Sequence, residues 1–426
     1  MRQALSDTMS RWYYWVSGFF LLSSMQEFGV VDRVVYGYWE GKSGDPISVL
    51  FNLLMILASL LLIANSYRRH MKGFAVGSVL ALVAVGFLFL SALWSLSPPT
   101  TVRVTIVYLF VVIGSIGVAR SLDADEFMDL LCWCCLGGAI ASLLLLVGSP
   151  DNAFMDGVDF IGIFPHKNVF GQVMATGVLA ALHGIRTARR GYLGKLVMVL
   201  VFIGMTIACK STTALLACLV FCGISGFDSL WRRGRGARQI SVVLAIFLAP
   251  TFLVAIVAPD PILEAIGKDP TLTGRTEIWA FVIDDIWMKP WLGWGYFGFW
   301  HLTNPAAREI FDAVRWVVPQ AHNGLLEFLL NIGVVGTSLF LFLLVRNLVL
   351  AFRCLSTPAR VLAVSAITCC VGILLEGVSE AVLMVSTAPL TPLLFITGLM
   401  CERALWVAKW RRYELPGVVG APSFGR

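Results

Sequence analysis

Two runs of about twenty residues without a charge limit what this chain can become. Residues 46–66 (PISVLFNLLMILASLLLIANS) and 73–93 carry no Asp, Glu, Lys or Arg. A helix needs about 20 apolar residues to cross a hydrocarbon core about 30 Å thick. Backbone facing lipid must satisfy its own hydrogen bonds, so these runs are helices rather than open sheet or loop. Composition agrees: 58% of the 426 residues are hydrophobic and 14% charged, against about 45–50% and about 25% in soluble domains. The expected fold class is all-α, a polytopic membrane protein, in place of the roughly three soluble domains this length would otherwise suggest. Disorder, a collagen-like chain and a secreted disulfide scaffold are excluded.

Read in order, the apolar blocks give about twelve spans. They fall near 12–31, 46–66, 73–94, 103–119, 127–147, 168–185, 193–209, 212–227, 240–258, 324–345, 361–383 and 388–408. The first is no cleaved signal: it is too long, holds Glu27 and lacks a small-residue cleavage site. The net charge is +6, but its distribution matters more than its sum. One alternating set of flanks holds ten basic residues: Arg33, Lys42, Arg103, Lys167, Lys210, Lys268, Arg275, Lys289, Arg308 and Arg315. The other set holds the remaining 22 of the 32 Lys and Arg. Cytoplasmic flanks are enriched in Lys and Arg. Both termini are therefore expected inside, with the sparse set outside. Nothing points to nucleic acid. Nearly all ten cysteines lie in apolar blocks, where they read as small packing residues and not as a disulfide framework.

Two external segments exceed simple connectors, 148–167 and the 65-residue stretch 259–323. Loops beyond about 12–15 residues are uncommon unless functional or disordered, and six tryptophans argue against disorder in the second. From a Thr273 N-cap, Ile278, Val282 and Ile286, and Trp279, Ile283 and Trp287, repeat at helical spacing until Lys289-Pro290. This predicts an amphipathic helix of about four turns on the outer membrane surface. The organisation reads as spans one to five over 1–147, spans six to nine with the first motif loop over 148–258, the large periplasmic loop over 259–323, and the C-terminal spans and tail over 324–426.

Polar residues that packing does not explain collect at the outer face. Phe164-Pro165-His166-Lys167-Asn168 lies where the first long loop re-enters the membrane. Lys210-Ser211-Thr212-Thr213 is a tight external turn. Gly274-Arg275-Thr276-Glu277 opens the surface helix. Ala321-His322-Asn323 meets the tenth span, with Glu327 just inside. Three cations, two histidines and several hydroxyls suit a phosphate-bearing ligand: Arg supplies a bidentate fork and Lys a point charge. A histidine there could take a proton from an attacking hydroxyl. The plain alternatives are snorkelling for Lys167 and Lys210, a surface pair of Arg275 with Glu277 or Asp284, and a merely exposed His322. Glu327, Glu376 and Glu380 stand out because carboxylates in spans are expensive; Glu376 and Glu380 are four apart, as on one helix face. Gly293, Gly295 and Gly298 spell G-x-G-x-x-G, but without a β-α-β unit the match is a false positive.

Taken together, FPHKNVFGQ at 164–172, TGRTEIWAFVIDDIWMKPWLGWGYFGF at 273–299 and AHNGLLEFLLNIGVVG at 321–336, with KSTTALLA at 210–217, resemble the membrane family of O-antigen ligases and exopolysaccharide repeat-unit polymerases. The likeness spans roughly residues 150–340, and the H-K-N form is more similar to the polymerase branch. The resemblance implies an inverting, metal-independent GT-C-like glycosyltransferase of the bacterial inner membrane, without a cofactor. Its donor would be a glycan on undecaprenyl pyrophosphate, and its acceptor a hydroxyl of another lipid-linked glycan. A chain-length regulator and an export complex are candidate partners beside the membrane lipids. Carried over by position, His322 would be the general base and Arg275 the holder of the leaving pyrophosphate. Lys167 and Lys210 would be further phosphate cations, and His166, Asn168, Asn323 and Glu327 would complete the substrate site. The rivals are ligase-type transfer to a final acceptor and a transporter or flippase, which Glu327, Glu376 and Glu380 could serve as a proton path.

Overall fold

The computed structural model describes residues 12–25, 46–68, 75–155, 157–188, 191–236, 238–239, 275–386 and 388–413. Fourteen helices are named here: α1 Trp12–Ser24, α2 Pro46–Arg68, α3 Ala75–Leu90, α4 Pro98–Ser121, α5 Ala124–Gly148, α6 Pro150–Ala153, α7 Lys167–Thr187, α8 Tyr192–Ala208, α9 Thr212–Trp231, α10 Arg275–Met288, α11 Pro305–Val314, α12 Gly324–Cys354, α13 Arg360–Glu376 and α14 Leu390–Tyr413. A two-residue antiparallel pair, β1 Phe154–Met155 and β2 Asp159–Phe160, lies between α6 and α7. Eight of these helices, α2 to α5, α7, α9, α12 and α14, are long and apolar enough to cross a membrane. The chain is an all-α polytopic membrane protein. Each expected span that falls on described residues coincides with a helix; 240–258, the Thr273 cap and Gly274 lie outside them.

The helices show how a membrane solvent sorts side chains. In α2, Leu50, Leu53, Leu54, Leu57, Leu60 and Leu61 are exposed, while Met55, Ala58, Ser59 and Leu62 are buried. The buried stripe packs on α4, where a Cβ on Gly117 would stand 2.6 Å from Leu62. Small residues let membrane helices approach this closely. Buried hydroxyls bond back to the preceding turn, as Ser59 does to the Met55 carbonyl and Thr105 to the Thr101 carbonyl, so no polar atom is left facing hydrocarbon there. All ten cysteines are free, and all but Cys222 are buried, as their packing role required.

One end of the bundle carries a polar cluster in which His183 and Asp228 are buried. Asp228 of α9 takes Arg186 of α7 and Arg360 of α13. His183 of α7 bridges Ser365 of α13 and Asp125 of α5, at 2.9 Å each. His183 and Arg186 thus tie four helices together. The opposite ends of α7 and α13 carry the site described below.

The described part of the long second loop, 275–323, is a folded lobe. Ile278, Val282 and Ile286 of α10 pack with Ala307, Ile310 and Phe311 of α11, and with Phe299, Val318, Ala321 and Leu330. The sequence pattern located α10 but not α11, which Asn304 caps through Ala306 N–H ahead of Pro305 at the first helical position. The lobe is stitched into α12 through a break in that helix. Gly333 has φ 61° and ψ −172°, so Val334 and Val335 cannot donate to Leu330 and Asn331. They donate instead to the carbonyls of Pro290 and Trp291, at 2.8 and 3.1 Å. The orphaned carbonyls of Leu330 and Asn331 accept from Trp294 and Gly295, at 2.9 and 2.8 Å. Backbone groups at membrane depth need such replacement partners. The approach is so close that a Cβ on Gly333 would fall 2.3 Å from the Trp291 carbonyl carbon, and one on Gly293 2.5 Å from that of Asn331. Gly293 and Gly295 of the false G-x-G-x-x-G therefore serve backbone docking.

Candidate active site

The four motif stretches converge on one short turn that follows α13. Span 361–383 was expected to run on as helix; α13 ends at Glu376, and residues 377–380 turn. Each motif binds this turn. Gly324 N–H donates to the Gly377 carbonyl at 2.7 Å, and Asn323 Nδ2 to the Val378 carbonyl at 3.4 Å. Arg275 Nη1 donates to the Ser379 carbonyl at 2.8 Å. Thr213 Oγ1 and Ser379 Oγ lie 3.0 Å apart. Beyond the turn, Tyr296 and Tyr108 hydroxyls fasten the Met384 and Leu383 carbonyls, at 2.6 and 3.0 Å.

Glu380 is the centre. Its Oε1 accepts from Asn168 Nδ2 at 2.7 Å and stands 3.5 Å from Arg275 Nη2. Its Oε2 accepts from Gln320 Nε2 at 2.8 Å and stands 3.6 Å from His322 Nδ1. Burial acts to raise this carboxyl, but His322, the Arg275 charge and the Asn168 hydrogen bond outweigh it and hold it below the ordinary carboxylate range. Glu376 is buried one turn earlier, and its carboxylate has no hydrogen-bond partner among the described residues. The two acids therefore do not share a continuous helix face: one closes α13 and the other enters the site.

Each side chain is held by local chemistry. His166 caps α7 by accepting from Asn168 N–H at 3.2 Å. Burial lowers the pKa of this imidazole, with Lys167 and His322 adding to the effect against Glu380. A neutral ring is what an accepting nitrogen requires. Lys167 pairs with Asp159 of β2 at 2.7 Å. A stack of Phe154, Phe160, Phe170 and Phe164 underlies that loop. Ser211 donates to Asn168 Oδ1 at 3.1 Å. Asn323 caps α12 through Leu325 and Leu326 N–H, at 3.1 Å each. His322, just before it, takes a left-handed backbone with φ 49°, which a non-glycine residue adopts only where its surroundings impose it.

The surroundings are Glu327 and the lobe core. Glu327, expected to contact substrate, is 4% exposed. Its carboxylate accepts from Ala321 N–H at 2.6 Å, Asn331 Nδ2 at 2.7 Å and Trp300 Nε1 at 3.0 Å. Buried polar groups need such partners, and through Ala321 N–H the Glu327 carboxyl fixes the backbone beside His322. Arg275, whose plain alternative was a surface pair with Glu277 or Asp284, instead reaches Glu380 and the Ser379 carbonyl because it lies at the start of α10, against the turn. Lys210 has a left-handed backbone, φ 55°, and an exposed side chain outside this bonded set. The structure thus brings together His166, Asn168, Arg275, His322 and Asn323, with Lys167 adjacent. Glu380 and Gln320 were missed as members. The signal for Glu380 was its cost as a carboxylate near a span; for Gln320 the sequence held none.

Residues 173–341 match the O-antigen ligase family. The chain is also similar to the exopolysaccharide production protein ExoQ of Rhizobium meliloti, 27% identical over 282 residues, which is 62% of this chain and 62% of that protein. A protein of Rickettsia felis named as a polysaccharide ligase is 28% identical over 112 residues, 26% of this chain and 28% of its own length. These matches bear out the family resemblance carried by the motifs. The family stretch includes Arg275 and His322; Asn168 and Glu380 lie beyond its two ends.

Proposed function

We propose that this chain, which carries the O-antigen ligase family's stretch over residues 173–341, polymerises lipid-linked oligosaccharide repeat units by inverting glycosyl transfer at the periplasmic face of the inner membrane. The observation that carries the reading is the single cluster in which Arg275, His322 and Asn168 meet on Glu380. With Nδ1 turned to Glu380, the other ring nitrogen of His322 is left for the acceptor hydroxyl. In the proposed step that nitrogen takes the hydroxyl proton, the oxygen attacks the anomeric carbon, and the bond from that carbon to the phosphate oxygen breaks. The departing pyrophosphate carries away the electron pair, and Arg275 and Lys167 neutralise its charge. A leaving group this good asks mainly for placed cations, so side chains can supply what a metal would. Asn168, Gln320 and Glu327 position the base and its carboxylate.

A second feature supports a lipid-borne substrate. An apolar groove of about 300 Å³ runs between α12 and α13, lined by Phe328, Phe340, Leu344, Ile373 and Val382 among others. It begins at Asn323, Gly324, Gly377 and Val378, the residues that join the turn to α12. A polyprenyl chain lying there would bring its phosphates to the cluster.

The H-K-N form of residues 166–168 is what favours polymerase over ligase in this reading. Deleting the gene and extracting the lipid-linked glycans tests this. Accumulated single repeat units support the polymerase reading. Long polymer left on the carrier, uncoupled from its final acceptor, would overturn it in favour of a ligase. Purified protein in lipid vesicles that carries a labelled lipid-linked glycan across the bilayer without transfer would favour a flippase.

A further inference from the structure

Segment 315–322 is held in a shape its sequence does not favour. Arg315 and His322 both have left-handed backbones, φ 62° and 49°, and bracket it. Between them the inward groups are fastened. Val318 and Ala321 are fully buried. Ala321 donates to Glu327 and accepts from Trp279 Nε1 at 2.9 Å. Gln320 is bonded to Glu380. Trp316 and Val317 face outward, at 47% and 61% exposure, and the Trp316 ring lies beside His322 with centroids 6.2 Å apart and planes at 41°. Trp279, Trp294 and Trp300 of the same lobe each donate their N–H to a protein acceptor. Trp316 makes no such bond among the described residues. Its side chain is half exposed and adjacent to the candidate base.

We propose that Trp316 is a stacking platform for the acceptor sugar. A pyranose presents an apolar C–H face with its hydroxyls around the rim. An indole offers a large apolar surface at the cost of fixing two torsions. A sugar lying on Trp316 would extend a rim hydroxyl toward the neighbouring imidazole, and Gln320 stands on the same segment. The left-handed Arg315, which ends α11, turns the chain so that Trp316 falls outside the core that Val318 rejoins. This rests on the glycan-transfer reading and adds the acceptor subsite to it.

The probe is the lipid-free repeat-unit oligosaccharide, released by mild acid from the producing cell's own lipid-linked intermediates. Its binding to the full chain in nanodiscs is measured by calorimetry, alongside transfer from lipid-linked donor. Trp316→Ala should weaken oligosaccharide binding about tenfold, the scale of one lost aromatic face, with donor binding within about twofold of wild type. Trp316→Phe should recover most of the loss and Trp316→Leu little. Equal binding by wild type and Trp316→Leu would overturn the platform and make the residue an apolar anchor, as would a parallel loss of donor binding. No measurable binding by wild type also overturns it. Wild type that binds oligosaccharide through Trp316 yet transfers nothing would keep the platform and sink the transfer reading instead.

Discussion

Glu380→Gln keeps the side chain's length and removes its charge. The carboxylate accepts from Asn168 on one oxygen and Gln320 on the other, at 2.7 and 2.8 Å. A glutamine offers one oxygen and one NH2, so one donor must meet another donor. One hydrogen bond to a charged acceptor, about 1.5–3 kcal/mol, is lost, and the survivor falls toward the neutral value of about 1 kcal/mol. Local support therefore drops by about 2–5 kcal/mol. For transfer, replacing a histidine's orienting carboxylate by its amide costs up to about 10⁴-fold. Here His322 stands at 3.6 Å rather than hydrogen-bond length, so the lower part of the general-base range, about 10²-fold, is expected. The assay is transfer from lipid-linked donor by purified protein in lipid, with donor binding measured separately and expected to persist. The same variant tests pH dependence. The folded Glu380 carboxyl is held below its ordinary range, near about 4.3 when unfolded. Its stabilisation is present above the unfolded value and lost as pH falls through the folded one. Wild type should lose thermal stability in acid more steeply than Glu380→Gln. Wild-type transfer by Glu380→Gln, with His322→Ala inactive, would refute the orienting role and leave Glu380 a brace.

Four further outcomes are expected. His322→Ala should insert and bind donor but lose about 10²–10⁴-fold in transfer, while His301→Ala, an exposed site in the same lobe, keeps most activity; near-normal transfer by His322→Ala removes the base assignment. Arg275→Lys should fall well over tenfold, because one ammonium cannot reproduce the fork that reaches both Ser379 and Glu380; equal rates would end its leaving-group role. Gly333→Ala should lower the melting temperature sharply, since its backbone region is close to glycine-only and the Cβ meets Trp291 backbone, whereas Gly86→Ala, with open space around it, should be neutral or better. Finally, a cysteine at Thr303 should react with an impermeant thiol reagent from the periplasm and one at Arg235 should not, in a cysteine-depleted background; the reverse pattern inverts the topology.

The spans were legible because a membrane helix announces itself by composition, although block ends were not: α13 stops at Glu376, short of 383, and α12 runs on to Cys354, past 345. The loop lobe was legible only in part. α10 shows helical spacing, but α11 is ten residues long and amphipathic over a span too brief to separate from turn. The break at Gly333 was hidden for a different reason. The run Gly324 to Cys354 reads as continuous apolar helix, and the partner that replaces its lost hydrogen bonds lies about forty residues upstream, at Pro290 to Gly295. Periodicity describes one segment against its surroundings; it does not say which backbone will dock into which. The same limit hid the site's centre. His322, Arg275 and Asn168 carry local motifs, whereas Glu380 and Gln320 acquire their role only from what the fold sets against them.

The charge pairing in the cluster bears on how such a site could take a pyrophosphate at all. Arg275 and Lys167 are already matched, the first by Glu380 and the second by Asp159. Two unpaired cations beside two histidines would repel one another and favour neutral imidazoles at the expense of the fold. Matched by carboxylates, they keep their positions before any ligand arrives. In the proposed reaction, phosphate binding is then an exchange of anionic partners. The Arg275–Glu380 contact, at 3.5 Å and longer than a hydrogen bond, is the weaker of the two and would yield first. Arg275 keeps its anchor on the Ser379 carbonyl while its other nitrogens turn to phosphate. Glu380 keeps Asn168 and Gln320 and faces His322 with less competition for its charge. Donor binding would thereby strengthen the carboxylate–imidazole contact when an acceptor hydroxyl is to be deprotonated. A larger loss of transfer in Glu380→Gln at saturating than at limiting donor is the kinetic trace such coupling leaves, and an equal loss at both would show that the two ion pairs act independently.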